Sequence, residues 1–261
     1  MLEPSVVLVS VVVLGGVGLI FGALIALTHA RMKVWEDPRI DAVNDLLPGA
    51  NCGACGFAGC RAFAEAVIRG ETPPAQCTVM SEGEREEVAE YLGVDAGEAA
   101  RRVARLLCAG GADVAPWKAD YIGIGSCAAA AAVSGGGKGC PWGCLGLGDC
   151  AVSCDFEAIT MSAFGLPVVD PELCTACEDC VEACPLGLFT ILPTDAHLLV
   201  QCRNLLEGDD ATAVCEVACN ACTRCVSDAA AGLIHMDRGL AVVDYARIES
   251  ENPKAVERCP T

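Results

Sequence analysis

Cysteine is the residue of this chain most able to do chemistry, because 20 of its 261 residues are cysteines. Most of them lie in short runs of fixed spacing, as thiolate–metal sites require. The first run is Cys52-x2-Cys55-x4-Cys60, and Cys77 follows it. A glycine lies beside each of the first three thiols, so the backbone can wrap closely around a compact cluster. This pattern predicts a four-iron cluster, whereas zinc sites usually pair two C-x2-C knuckles.

A second set of cysteines has the spacing of a bacterial ferredoxin. The run C-x2-C-x2-C-x3-C-P ends at Pro185, and another run of four cysteines precedes it. In two-cluster ferredoxins, the fourth cysteine of each run binds the cluster of the other run. The expected ligands of one cluster are therefore Cys140, Cys144, Cys150 and Cys184. Those of its partner are Cys154, Cys174, Cys177 and Cys180. The segment between the runs predicts a short hairpin with Gly165 in its turn.

A third set repeats part of the second at a distance of 75 residues. Four cysteines of the second set, at 140, 144, 150 and 184, recur at positions 215, 219, 225 and 259. The positions that match the other four hold no cysteine; Ala229, for example, stands where the partner of Cys154 is expected. The missing residues are the ligands of a single cluster, so this domain is expected to have lost one cluster and kept the other. The expected ligands of the remaining cluster are Cys219, Cys222, Cys225 and Cys259.

Four cysteines fall outside these ligand sets: Cys108, Cys127, Cys202 and Cys215. Four thiolates are what one more [4Fe–4S] cluster needs, but a buried free cysteine is also a common small apolar residue. Cys215 matches Cys140 in the repeat, although only Cys140 is given a cluster in this scheme. The sequence therefore predicts four clusters and leaves a fifth open.

No other residue set suggests bond-making chemistry, so no catalytic residue is expected. His29, His197 and His235 are isolated along the chain. The glycine-rich stretch 134–139 contains Lys138 but lacks the spacing and the Ser or Thr of a phosphate-binding loop. Its glycines are expected to form the turn into Cys140. The chain is predicted to conduct electrons while neighbouring proteins do the chemistry.

The elements that must position these thiols begin with an apolar N-terminal segment. Residues 5–28 carry no charge. As a helix, this segment is long enough to cross a hydrocarbon core of about 30 Å. The segment lacks the basic start of a cleaved signal peptide, and Arg31 and Lys33 follow it. Because basic residues stay on the cytoplasmic side, we expect one membrane helix with the bulk of the protein in the cytoplasm. In that reducing compartment, thiolate–metal ligation is favoured over disulfides.

The rest of the chain is acidic and predicts an α+β fold. With 17 Lys and Arg against 35 Asp and Glu, the formal net charge is −18, which argues against nucleic acid as a partner. Residues 81–107 predict two helices broken near Gly93. The expected order is a transmembrane anchor (1–30), a small helical 4Fe-4S domain (31–95), a helical or linker segment (96–135), a two-cluster ferredoxin-like domain (136–195) and a degenerate ferredoxin-like domain with one cluster (196–261).

Several of these motifs together resemble a known family. The uncharged N-terminal span, NCGACGFAGC with Cys77, and KGCPWGCLGLGDC before a ferredoxin motif are similar to the B subunit of the Rnf complex. The resemblance covers nearly the whole chain and is closest to the longer, multi-cluster form of the subunit. In the last domain, those longer forms resemble a second full cluster pair, whereas this chain retains the ligands of one.

The resemblance implies a subunit of a membrane-bound, ion-translocating ferredoxin:NAD⁺ oxidoreductase at the cell inner membrane. It implies reduced ferredoxin as electron donor, other membrane and peripheral subunits as partners, and a membrane-proximal cluster held by Cys52, Cys55, Cys60 and Cys77. Electron transfer would be coupled to movement of Na⁺ or H⁺ across the membrane. Two alternatives remain open from the sequence: an electron-transfer subunit of a different membrane reductase, and a zinc-stapled scaffold that binds partners without redox work.

Overall fold

The computed structural model of this chain describes residues 4–31, 36–98, 100–250 and 253–261. Lys33, one of the two basic residues that flank the apolar segment, lies outside the described residues. The backbone divides into two compact units, residues 1–42 and residues 43–261.

The described chain forms helices and short strands. The helices are α1 Pro4–Arg31, α2 Pro38–Leu46, α3 Cys60–Ile68, α4 Glu82–Leu92, α5 Cys127–Ala132, α6 Asp149–Val152, α7 Asp179–Ala183, α8 Gly208–Val214, α9 Arg224–Asp228 and α10 Lys254–Glu257. The strands are β1 Arg102–Leu106, β2 Ile159–Met161, β3 Pro167–Val169, β4 Phe189–Pro193, β5 Ile234–Asp237 and β6 Leu240–Val243. They pair as three two-stranded antiparallel sheets, β1–β4, β2–β3 and β5–β6.

Helix α1 forms where the sequence predicts a membrane helix. Its 28 residues rise by 1.5 Å each, so it is about 42 Å long. Apolar side chains such as Leu14 and Leu19 are exposed along it. The helix is thus long and apolar enough to cross a membrane.

Residues of α2, α3 and α4 pack around a small core of their own. Val43, Phe63, Val67 and Val88 are buried together. The predicted helix at 61–69 is present as α3. Helix α4 begins at a capping box between the Ser81 side chain and residue 84, and it ends at a left-handed glycine. This core therefore holds the first three cysteines, which lie before α3 or at its start, close to Cys77.

The prediction of a second helix between 96 and 107 is wrong, because residues 102–106 form strand β1. This strand pairs with β4 in the register Val103↔Leu192 and Leu106↔Phe189. Its Val103 side chain is fully buried. The Ala- and Arg-rich sequence favours a helix locally, but pairing with β4 and burial in the core override that preference.

The predicted hairpin is present, and the repeat contains a second one. Strand β2 pairs with β3 across a turn at Gly165 (φ +72°), and β5 pairs with β6 across a turn at Gly239 (φ +79°). Positive φ values of this kind favour glycine. Ile159 and Ile234, which open the two hairpins, are both buried and lie 75 residues apart, so the repeat seen in the cysteines extends to the backbone.

Candidate iron–sulfur sites

The structure gathers the cysteines into five groups of four, which we name A to E. Group A is Cys52, Cys55, Cys60 and Cys77. Group B is Cys154, Cys174, Cys177 and Cys180. Group C is Cys127, Cys144, Cys150 and Cys184. Group D is Cys108, Cys140, Cys202 and Cys215. Group E is Cys219, Cys222, Cys225 and Cys259.

Group A surrounds a small cavity at the start of α3, as the sequence predicts. The Asn51 side chain accepts a hydrogen bond from the Cys60 N–H at 2.9 Å. A side chain at Gly59 (φ +117°) would collide with that amide, which explains the glycine there. The hydroxyl of Thr78 lines the cavity and is buried without a hydrogen-bond partner among the described residues. It is therefore a candidate donor to a group held between the thiols.

Group B lies between the ferredoxin motif and strand β1. Apolar side chains, among them Ile159 and Ile191, wall its cavity. The Ala104 N–H of β1 donates to the Cys174 sulfur at 3.4 Å. Burial, followed by neighbouring thiols, raises the pKa of the Cys180 thiol to about 12. Burial likewise raises the pKa of the Cys177 thiol to about 11. These two thiols stay protonated near neutral pH unless a metal centre supplies positive charge.

Group C contains the Cys127 thiol of α5 at the place where the sequence predicts Cys140. Burial, then the nearby Cys144, Cys127 and Cys184, raises the pKa of the Cys150 thiol to about 12. Asp149 fixes the start of α5: its carboxylate accepts the Cys127 N–H at 2.8 Å and the next N–H at 3.0 Å. Two backbone donors of a helix start are thereby satisfied beside the thiol.

Group D combines three of the cysteines left over by the sequence with Cys140. Gly110 lines its cavity, and a Cβ on that residue would lie 3.0 Å from the Cys215 sulfur and 3.7 Å from the Cys108 sulfur. Asn204 is buried in the same wall, and its side-chain nitrogen has no hydrogen-bond partner among the described residues. That nitrogen, like the Thr78 hydroxyl of group A, is a donor available to a bound cluster.

This grouping differs from the sequence-based one by an exchange of Cys127 and Cys140. The sequence placed Cys140 with Cys144, Cys150 and Cys184, but a turn closed by the Gly143 N–H and the Cys140 carbonyl at 3.1 Å separates Cys140 from Cys144. The two thiols therefore serve neighbouring groups. The exchange also resolves an inconsistency in the repeat, because Cys140 and its counterpart Cys215 now belong to the same group.

Group E lies at the end of the chain, where the sequence predicts it. Burial and then the nearby Cys219 thiol raise the pKa of the Cys225 thiol, with Cys222 and Cys259 also close to it. Cys222 and Cys259 are exposed. The C-terminal segment that carries Cys259 is tied back to α9, since the guanidinium of the preceding arginine donates to the carboxylate at position 228 at 2.8 Å.

Groups B, C, D and E form a continuous row. Cys150 of group C and Cys180 of group B are buried in the same hydrophobic cluster. The Cys144 N–H of group C donates to the Cys108 sulfur of group D at 3.4 Å. The N–H of Cys219, in group E, donates to the group D sulfur at position 202, also at 3.4 Å. Each group of this row thus adjoins the next.

The shape of these sites fits a cluster better than a single ion. Within the described residues, no three His, Cys, Asp or Glu side chains converge closely enough to hold one metal ion. Groups A, B and D each line a small cavity. Four sulfurs about 2.3 Å from one zinc ion would close around a point, whereas a [4Fe–4S] cubane held by four cysteines needs space between them.

Comparison with known proteins agrees with this chemistry. Residues 47–79, which include group A, match the family model described as a putative Fe-S cluster. Residues 142–188, which include all of group B and most of group C, match the 4Fe-4S dicluster domain. Cys140 lies outside the second match.

Three relatives align with most of the chain, and each is the B subunit of a translocating complex. That of the Na⁺-translocating ferredoxin:NAD⁺ oxidoreductase complex of Acetobacterium woodii is 41% identical over 98% of this chain and 77% of its own length. That of the ion-translocating oxidoreductase complex of Methanosarcina acetivorans is 38% identical, with 93% and 92% of the two chains covered. That of the proton-translocating ferredoxin:NAD⁺ oxidoreductase complex of Clostridium ljungdahlii is 37% identical, with 98% and 91% covered. Identity at this level, sustained over nearly the full chain, places the protein in the family of Rnf complex B subunits, the iron–sulfur electron-transfer subunits of ion-translocating oxidoreductases.

Proposed function

We propose that the chain holds five [4Fe–4S] clusters, one in each of groups A to E, with all twenty cysteines as ligands. The observation that carries this proposal is the continuous row from group B to group E. Groups B and C share one buried cluster of side chains, and a hydrogen bond between cysteines joins group C to group D and group D to group E. Such a row suits the transfer of single electrons over a distance that one site cannot span. When bound, each cluster accepts and releases one electron at a potential that its surroundings set.

The chain's own residues prepare these sites. Apolar walls such as that of group B exclude water, and backbone N–H groups donate to the cysteine sulfurs. Donors that point at sulfur stabilise the more negative, reduced state of a site. The Thr78 hydroxyl and the Asn204 side-chain nitrogen, which have no hydrogen-bond partner among the described residues, add donors at groups A and D.

The arrangement also supports a division into modules. Groups B and C would form a two-cluster ferredoxin-like domain over residues 136–195, extended by β1 and by Cys127 from the preceding segment. Residues 196–261 would form the degenerate ferredoxin-like domain that keeps group E. The 31–95 segment would be the separate 4Fe-4S domain with group A, and group D would join the two ferredoxin-like repeats.

The names of the relatives supply the larger setting. One belongs to a complex called Na⁺-translocating and another to one called proton-translocating, and both complexes are ferredoxin:NAD⁺ oxidoreductases. We therefore assign this chain to such a complex, with α1 as a single-pass anchor in the inner membrane and residues after it in the cytoplasm. Reduced ferredoxin would deliver electrons, which would pass towards group A and the membrane subunits. Group E suits the arrival of electrons, because two of its thiols are exposed.

Anaerobic purification of the full chain tests the proposal. Five clusters of four iron each predict about 20 iron and about 20 acid-labile sulfide per chain, and four clusters predict about 16. A colourless protein that contains zinc and no sulfide would refute the electron-transfer function. Ferredoxin-dependent NAD⁺ reduction by the complex purified with this subunit would then separate an Rnf-type role from service to another membrane reductase.

A further inference from the structure

Lys138 is a charged side chain buried in the protein interior without an acidic partner. It is 8% exposed and, with Asn204, makes up the buried polar residues of the described chain. Its ammonium group donates to the carbonyls of Gly110 and Cys144, at 2.6 Å each, and lies 5.5 Å from the centre of the Trp117 ring. No carboxylate within the described residues forms an ion pair with it. A buried charge of this kind is costly unless an opposite charge lies nearby.

The ammonium group lies between groups C and D. One of its two carbonyl partners belongs to Cys144 of group C. The other belongs to Gly110, the residue that packs against the Cys215 and Cys108 sulfurs of group D. Both groups would carry the negative charge of four thiolates and a cluster. Clusters in these two groups would therefore supply the negative charge that Lys138 needs nearby.

The backbone around Lys138 holds it in this place. The backbone of Lys138 pairs with that of Trp117 in an isolated antiparallel β-bridge. Next to it, the Gly139 N–H donates to the Pro116 carbonyl at 2.8 Å. A Cβ on Gly143 would lie 3.2 Å from the Lys138 side chain, so the glycine leaves room for the aliphatic stem. The glycine-rich stretch that fails as a phosphate loop thus serves to bury one lysine.

We propose that Lys138 is the fixed counter-charge of the clusters in groups C and D and that it raises the reduction potentials of both. The inference rests on the proposed assignment of clusters to these groups. Reduction adds one electron to a cluster that is already anionic, and a buried cation beside it favours that added charge. The net charge of −18 disfavours reduction of the clusters. Lys138 would offset this effect at groups C and D.

The test uses the full chain purified anaerobically with its clusters. Lys138→Met removes the charge and keeps the apolar stem, and Lys138→Arg keeps the charge. Lys118→Met is the matched control, because Lys118 is exposed and the substitution changes the net charge equally. Redox titration followed by electron paramagnetic resonance reports each cluster's reduced fraction, with group-specific cysteine variants assigning the signals.

Two signals, those of groups C and D, are expected to shift to lower potential in Lys138→Met. A unit charge about 8 Å away at an effective dielectric constant of about 20 changes the ratio of reduced to oxidised cluster by more than about tenfold. Lys138→Arg should retain most of the wild-type ratio, and Lys118→Met should leave it unchanged. Equal shifts in the methionine and arginine variants, or no shift beyond that of Lys118→Met, would overturn the proposal.

Iron content separates this outcome from a failure of assembly. If Lys138→Met loses the iron of groups C and D, retention by Lys138→Arg supports the counter-charge, and loss in both variants overturns it. A wild-type chain without iron and sulfide would instead refute the proposed function. A loaded wild-type chain whose potentials do not respond to Lys138 refutes only the present inference.

Discussion

The exchange of Cys127 and Cys140 between groups C and D leads to a prediction that iron counting can decide. In the structure, Cys127 and Cys184 belong to one group, whereas Cys140 and Cys184 belong to two. The ferredoxin-like grouping expected from sequence places Cys140 with Cys184 and leaves Cys127 outside that group. Two double variants therefore distinguish the schemes: Cys127→Ala with Cys184→Ala, and Cys140→Ala with Cys184→Ala.

The magnitude follows from four iron atoms in each [4Fe–4S] cluster. If a cluster is lost with its ligands, the 127/184 variant should lose about four iron per chain and the 140/184 variant about eight. The sequence-based grouping instead predicts a loss of about four iron in the 140/184 variant. In the 127/184 variant it predicts about four without a fifth cluster and about eight with one. Both variants remove the same number of thiols and share one substitution, so each serves as the control for the other.

The assay is iron and acid-labile sulfide per chain after anaerobic purification, with circular dichroism to confirm that the fold is retained. Electron paramagnetic resonance of the reduced protein counts the remaining clusters independently. Equal iron losses in the two variants, or a larger loss in the 127/184 variant, would refute the grouping drawn from the structure.

Three further substitutions test how single residues support the sites. Asp149→Ala should destabilise α5 by about 1 kcal/mol, because two N–H groups lose their acceptor; chelator should then extract group C iron faster, and an asparagine variant should recover part of the loss. Gly110→Ala should empty group D selectively, since its Cβ would meet a ligand sulfur at 3.0 Å; Gly125→Ala, with nothing within 4 Å, should keep all iron. Phe63→Ala should cost about 3–5 kcal/mol of folding free energy and release group A iron first, because this ring is buried against the group A cysteines. Denaturant titration followed by the cluster absorbance measures the effect. The same titration should show unchanged stability at groups B to E.

Short-range features of the fold were predictable from sequence. Helix α3 and both hairpins follow from local periodicity and from glycines such as Gly165 and Gly239, whose positive φ values the turns require. The apolar segment before Arg31 likewise forms the expected long helix. Each of these elements is specified by neighbours within about ten residues.

Long-range features were not predictable, and β1 is the clearest example. Its sequence favours a helix, and only β4, more than 80 residues later, supplies the partner that makes it a strand. The same limit applied to Cys127 and Cys140. Spacing shows which cysteines are close in sequence, but a turn after Cys140 and the arrival of α5 decide which cavity each thiol lines. Cys108 and Cys202 carry no spacing signal at all.

Group D has a consequence for how the protein is made. Its thiols come from four separate stretches of chain: Cys108 and Cys140 lie before the β2–β3 hairpin, and Cys202 and Cys215 lie after it. The site cannot close until the chain has been synthesised as far as Cys215, whereas the cysteines of groups A, B and C all lie at or before Cys184. We expect group D to be filled after groups A, B and C during biogenesis, and its cluster would then join segments that are distant in the sequence. Iron incorporation followed over time during reconstitution would contradict this order if group D signals appeared before those of group B.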